Sequence, residues 1–164
     1  IVIVASETGK ILQHFFESSK TNQWVSDAIT LEEFIIDTML YRVTDEKEAF
    51  GIRTEYIGTS NANPYLKETI SLFIKSADTL KKILPNFSLL NYGGEWDSDC
   101  LGSFLEEKKE LNMSQNKTNG FYDILVKKKS IETINFKDEN NQCDAKETRT
   151  EENLVLIYHK NAYK

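Results

Sequence analysis

The apolar positions along the chain change period several times. Ile1–Ser6 is an unbroken apolar run with β-branched residues, the pattern of a strand buried on both faces. In GKILQHFFESS, Ile11, Leu12, Phe15 and Phe16 fall on one helical stripe. A hairpin turning at ETGK is the competing reading of this stretch. TLEEFIIDTMLYRV offers Thr30 as an N-cap, with Glu32 and Glu33 in the first turn. As a helix it would turn Leu31, Phe34, Ile35 and Thr38 inward, although its β-branched residues favour a strand.

Phe50–Gly58 predicts a strand, and Tyr65–Ile74 fits strand or helix. SADTLKKILPNF predicts a helix capped by Ser76, with Leu80, Ile83 and Leu84 as its apolar stripe and Pro85 as its stop. Phe87–Tyr92 then resumes as a strand, so a helix feeds a strand through a short connection, as in α/β folds. Asp97–Leu111 predicts a capped amphipathic helix, and NMSQNKTNG a polar loop. FYDILVKKKSIETINF fits strand or helix. Residues 137–152 are expected as a mobile insert, because so long a polar stretch exceeds an ordinary turn. Asn153–Lys160 closes the series as a strand.

Composition narrows the class. The 164 residues are 40% hydrophobic and 28% charged, which fits one globular domain with a real core. No apolar run approaches the roughly 20 residues needed to span a bilayer, so no membrane partner is expected. The net charge of −6 argues against nucleic-acid binding through the whole surface, while Lys127, Lys128 and Lys129 form a local basic run. Cys100 and Cys143 lie far apart, and free thiols in a reducing compartment are the expected state. Neither has a second Cys or a His at ligand spacing, so no metal is expected. Three glycosylation sequons begin at Asn86, Asn112 and Asn116; with the cysteine pair they would suit an extracellular domain, a weaker alternative.

The opening turn is not a phosphate loop. That motif requires G-x-x-x-x-G-K-S/T, whereas Val4 occupies the first glycine position here and Ile11 follows Gly9-Lys10. The spacing of a dinucleotide loop is absent as well.

The order of pieces (buried strand, helix, AFGIRTEYIGTS, YLKETISLFI, helix, FSLLNYG, helix, polar insert, terminal NLVLIYHK) resembles the second half of a class I S-adenosylmethionine-dependent methyltransferase. Within that superfamily it is most similar to mRNA cap (guanine-N7) methyltransferases. The likeness rests on IVIVASETGKILQHF, on Phe50, Gly51 and Arg53, and on Pro64, Tyr65 and Leu66. It implies an α/β fold: a partial Rossmann-like sheet with an antiparallel closing strand and flanking helices, in a single domain over 1–164 that starts mid-fold at Ile1. It also implies a function as the substrate-binding half of a cap methyltransferase. The partners would be capped RNA and the remaining half of the enzyme or a catalytic subunit, in the cytoplasm or the nucleus. S-adenosylmethionine would be bound mainly by the missing half. The implied substrate-binding residues are Glu68 on the guanine edge, Tyr65 and Tyr56 for stacking, Arg53 or a lysine of 127–129 at the triphosphate, and Asn153 where relatives begin the closing strand with Tyr. The alternative is a non-catalytic methyltransferase-like or longin-like binding module, the longin form needing an antiparallel strand over residues 11–16.

Overall fold

The structure is a computed structural model, and it describes residues 1–24, 26 and 28–164. The described residues form strands and no helix. The α/β expectation with flanking helices is therefore overturned, and with it the architecture that the methyltransferase resemblance implied.

Two short strands, β1 (Val2–Val4) and β2 (Ile11–His14), pair as a hairpin, so the hairpin reading of the opening holds and the helix over GKILQHFFESS does not. Seven long antiparallel strands follow: β3 (Ile29–Arg42), β4 (Glu48–Gly58), β5 (Tyr65–Ser76), β6 (Thr79–Trp96), β7 (Gly102–Thr118), β8 (Phe121–Lys137) and β9 (Cys143–Leu156). They are hydrogen-bonded in chain order, and β2 joins β6 at His14 and Thr79. A small hairpin of β10 (Tyr158–His159) and β11 (Ala162–Tyr163) ends the chain.

Each overturned helix has a local cause. In β3, Phe34 and Thr38 are exposed while Ile35 and Asp37 turn inward, which is the two-residue period of a strand. In SADTLKKILPNF, Ala77 takes φ +51° and turns the chain from β5 into β6. Pro85 then sits where the β5–β6 register slips, a place in a sheet that tolerates a missing N–H. The Asp97–Leu111 helix is instead a loop held by the Asp97 carboxylate, which accepts from the amides of Asp99, Cys100 and Leu101, followed by the first half of β7. Asn119 and Gly120, both at positive φ, make the two-residue turn from β7 to β8. The segment 137–152, expected as an insert, contains a turn held by Asp138 and most of β9. Cys100 and Cys143 are joined as a disulfide that ties the loop before β7 to the start of β9, which corrects the expectation of free thiols.

The sheet curls over on itself. Pairing between β6 and β7 ends at Leu90 and Lys108, after which the strands part. The inward residues of β4–β6 (Ala49, Ile70, Leu72, Ile74, Ile83, Leu84) thereby meet Leu111, Ile124 and Val126 of β7 and β8 in one core. Tyr158 and Tyr163 of the terminal hairpin fill one end of it; Tyr158 stacks on Phe121, and the Tyr163 hydroxyl donates to the Tyr122 carbonyl. Beside this hairpin the Tyr122 amide donates to the Val43 carbonyl, and Asp45 accepts from Lys117 and Tyr122, drawing the β3–β4 turn against β8. The outer face of β5 and β6 is covered by the N-terminal segment. Phe15 packs edge-on against Phe73, and Lys82 pairs with Glu17 among the rings of Phe15, Trp24 and Phe73.

Candidate functional site

The strand period divides the five expected site residues. Arg53 and Glu68 lie on the inner face of the curl. Tyr56 and Tyr65 lie on the outer face, because Tyr56 is opposite Lys67 and Tyr65 is two residues from Lys67 on the same strand. Asn153 is on the exposed edge strand β9, opposite Lys127. Glu68 and the two tyrosines thus stand on opposite sides of one sheet and do not converge on a single guanine. Lys128 is paired with Glu107 at 2.6 Å and is close to Glu152, while Lys127 and Lys129 point from the sheet into solvent.

The inner-face pair belongs to a polar network. Arg53 donates to Asp37 through Nε (3.1 Å) and Nη2 (2.9 Å), and to Glu68 Oε1 through Nη1 (2.9 Å). The Tyr41 hydroxyl donates to Asp37 Oδ2 at 3.0 Å, and the Met39 amide to Asp37 Oδ1 at 3.0 Å. Gly51 makes room for this arrangement: a Cβ there would lie 2.7 Å from Ile70 Cδ1 and 2.9 Å from Asp37 Cβ. Burial resists ionisation of Asp37, but the Met39 amide, the Arg53 and Tyr41 donors and the Arg53 charge outweigh it, so its carboxyl is held below the usual range. Burial, then the Asp37 carboxylate, pushes Tyr41 up to about 12. Arg53 is held firmly charged by its two carboxylates despite its partial burial.

The network forms one wall of a cleft of about 470 Å3 where β6 and β7 part. Tyr41, Leu89 and Leu111 supply its apolar floor, and Lys108 and Lys109 stand at the opposite wall. Lys109 is held over the Phe87 ring, 5.4 Å from its centre. Perturbed groups converging on an apolar cleft mark a candidate binding site.

The outer-face pair lines a second cleft of about 300 Å3, with Gln23, Lys67 and Asn86. Burial raises Tyr56 above its ordinary value against the opposing hydrogen bond with Thr54, with a smaller push from the neighbouring Tyr65.

Sequence reasoning missed Asp37, Tyr41, Lys67, Lys109 and Asn86. Asp37 did leave a signal: a single carboxylate inside the apolar run FIIDTML is costly to bury unless paired. Lys67 and Asn86 left none, since their roles depend on which strand lies alongside.

No group of three or more His, Cys, Asp or Glu side chains among the described residues is placed to hold a metal ion, and no described helix is long and apolar enough to cross a membrane. Compared with protein-family models, curated proteins and solved structures, the chain matches none.

Proposed function

We propose that this chain is a non-catalytic binding module that takes a short, extended apolar peptide segment into the inner cleft. The Asp37–Arg53–Glu68 network on the wall of that cleft carries the reading. Arg53 has five N–H groups and commits three of them, leaving two; Glu68 commits one oxygen and leaves the other. A peptide group supplies a carbonyl for the first and an N–H for the second, while apolar side chains suit the floor of Tyr41, Leu89 and Leu111. Asp37 is not poised for acid–base work: both oxygens already accept hydrogen bonds, and its low pKa keeps it unprotonated at neutral pH. The disulfide favours an oxidising compartment as the place of action. The cap-methyltransferase reading would need Glu68 and Tyr65 on one side of the sheet, and it is not carried further.

Titrating acetyl-trileucine amide into isotope-labelled protein tests this. Saturable amide shifts at Leu89, Leu90, Lys109 and Leu111 are expected. Glu68→Ala should weaken binding by about tenfold, the worth of a charge-assisted hydrogen bond. Shifts spread evenly over the surface, or unchanged affinity in Glu68→Ala, would reject the inner cleft.

A further inference from the structure

The outer cleft stands apart from the inner one, on the opposite face of β4 and β5. Its described lining contains a lysine and no carboxylate, in a protein of net charge −6. Lys67 is half-buried and makes no hydrogen bond or ion pair with any described residue. Other lysines that sit inward have partners: Lys82 has Glu17, Lys81 has Tyr158 and Asn161, Lys128 has Glu107, and Lys109 has the Phe87 ring. A lysine that lines a cleft with no carboxylate among the described lining residues has its charge available to an incoming anion.

The other lining groups also donate. Tyr56 and Tyr65 flank Lys67 across and along the strands; the Tyr65 hydroxyl is not used in the hydrogen bonds of the described residues, while the Tyr56 hydroxyl neighbours Thr54. Gln23 is placed over the cleft by Asn86. The Asn86 amide donates to the Asn22 carbonyl at 2.9 Å, and its oxygen accepts from the Trp24 indole at 3.0 Å, so the residues on both sides of Gln23 are pinned to the sheet. Asn86 is itself fixed by Ser71, whose hydroxyl donates to its side-chain oxygen and accepts from its main-chain N–H. Gln23 takes φ +61° between these anchors. With Asn86 engaged in this way, its sequon serves the fold and presents no side chain for glycosylation.

We propose that the outer cleft is a binding site for a small oxyanion, a carboxylate or a phosphate, seated on Lys67 and ringed by Tyr56, Tyr65 and Gln23. A volume of about 300 Å3 admits a benzoate-sized molecule and no large polymer. The tyrosine rings favour an anion that carries a flat apolar body. The site does not depend on the peptide reading of the inner cleft.

Calorimetric titrations with benzoate, inorganic phosphate and neutral benzamide test it. Saturable binding of at least one anion is expected, with benzamide silent; benzoate binding above phosphate assigns a carboxylate, and the reverse assigns a phosphate. Lys67→Gln should weaken the anion by about tenfold or more, and Tyr65→Phe by a few-fold, both with an unchanged melting temperature. Glu68→Ala, on the other face, should leave anion affinity intact, so failure here and failure of the inner cleft are separable. The proposal is overturned if neither anion saturates, if benzamide binds equally well, or if Lys67→Gln binds as the parent does.

Discussion

Asp37 is the residue whose environment differs most from what its neighbours in the chain suggest. It lies in an apolar strand, yet its carboxyl is held below its ordinary value of 3.8 by Met39, Arg53 and Tyr41 against the opposing effect of burial. A depressed folded-state pKa stabilises the protein at pH above the unfolded value, and that contribution disappears as pH falls through the folded value. Acidification from about pH 5 to pH 2 should therefore lower the unfolding free energy, as followed by urea denaturation. Asp37→Asn should cost about 1–3 kcal/mol at pH 7, because Arg53 loses its principal partner. The variant should also lose less stability on acidification than the parent. An equal acid loss in both proteins would show that Asp37 is not a main source of the pH dependence, leaving Asp45, Asp97 and Glu107, whose values are lowered too.

At the scale of elements, the β7–β8–β9 ribbon extends beyond the core, which is why its sequence resisted assignment. Lys108, Lys127, Lys129, Glu147 and Glu151 are exposed on it, so there is little apolar alternation to read. Its far end is secured by the Cys100–Cys143 bond and by Lys137 on Asp99 at 2.7 Å. The cysteines are 43 residues apart in sequence, a separation for which loop-closure entropy gives a contribution of up to about 4 kcal/mol. Reduction, or the Cys100→Ser and Cys143→Ser pair of changes, should lower stability by about 2–4 kcal/mol. Mass spectrometry of the unreduced protein should find the two peptides linked. The turn at the other end of the ribbon is Asn119-Gly120, a hairpin dipeptide, but the polar run before it reads as a loop, so the hairpin was not assigned. The strands over Phe50–Gly58 and Phe87–Tyr92 were legible as β-branched or aromatic runs bounded by turn residues, whereas the first strand, expected to be buried on both faces, is a short hairpin strand with Val2 and Val4 exposed.

At the scale of the whole molecule, the outer strands of the seven-strand path, β9 and β3, differ in character. β9 alternates charges, including Lys146, Glu147, Arg149 and Glu151, which discourage pairing with another sheet. β3 exposes Phe34, Ile36 and Leu40, with Ile36 72% exposed. Its bulges at Leu31/Glu33 and Asp37/Leu40 leave only a short regular stretch between them. Ile36→Lys should leave stability within about 0.5 kcal/mol of the parent while reducing concentration-dependent association in light scattering. Greater association in the variant would show that this edge is not the adhesive one.

Within this protein, sequence alone determined several strand cores and offered the turn at ETGK, because each depends on a residue's own conformational preference. It did not determine the class of fold. Short apolar runs such as TLEEFIIDTMLY and SADTLKKILP satisfy helical and extended periods alike, and the pairing of neighbouring strands decides between them. Tertiary structure alone placed Arg53 and Glu68 on one face and Tyr56 and Tyr65 on the other, joined the cysteines, and left Lys67 in a cleft whose described lining holds no carboxylate. Those outcomes depend on register and on the curl of the sheet, which bring together groups that nothing in their local sequence connects.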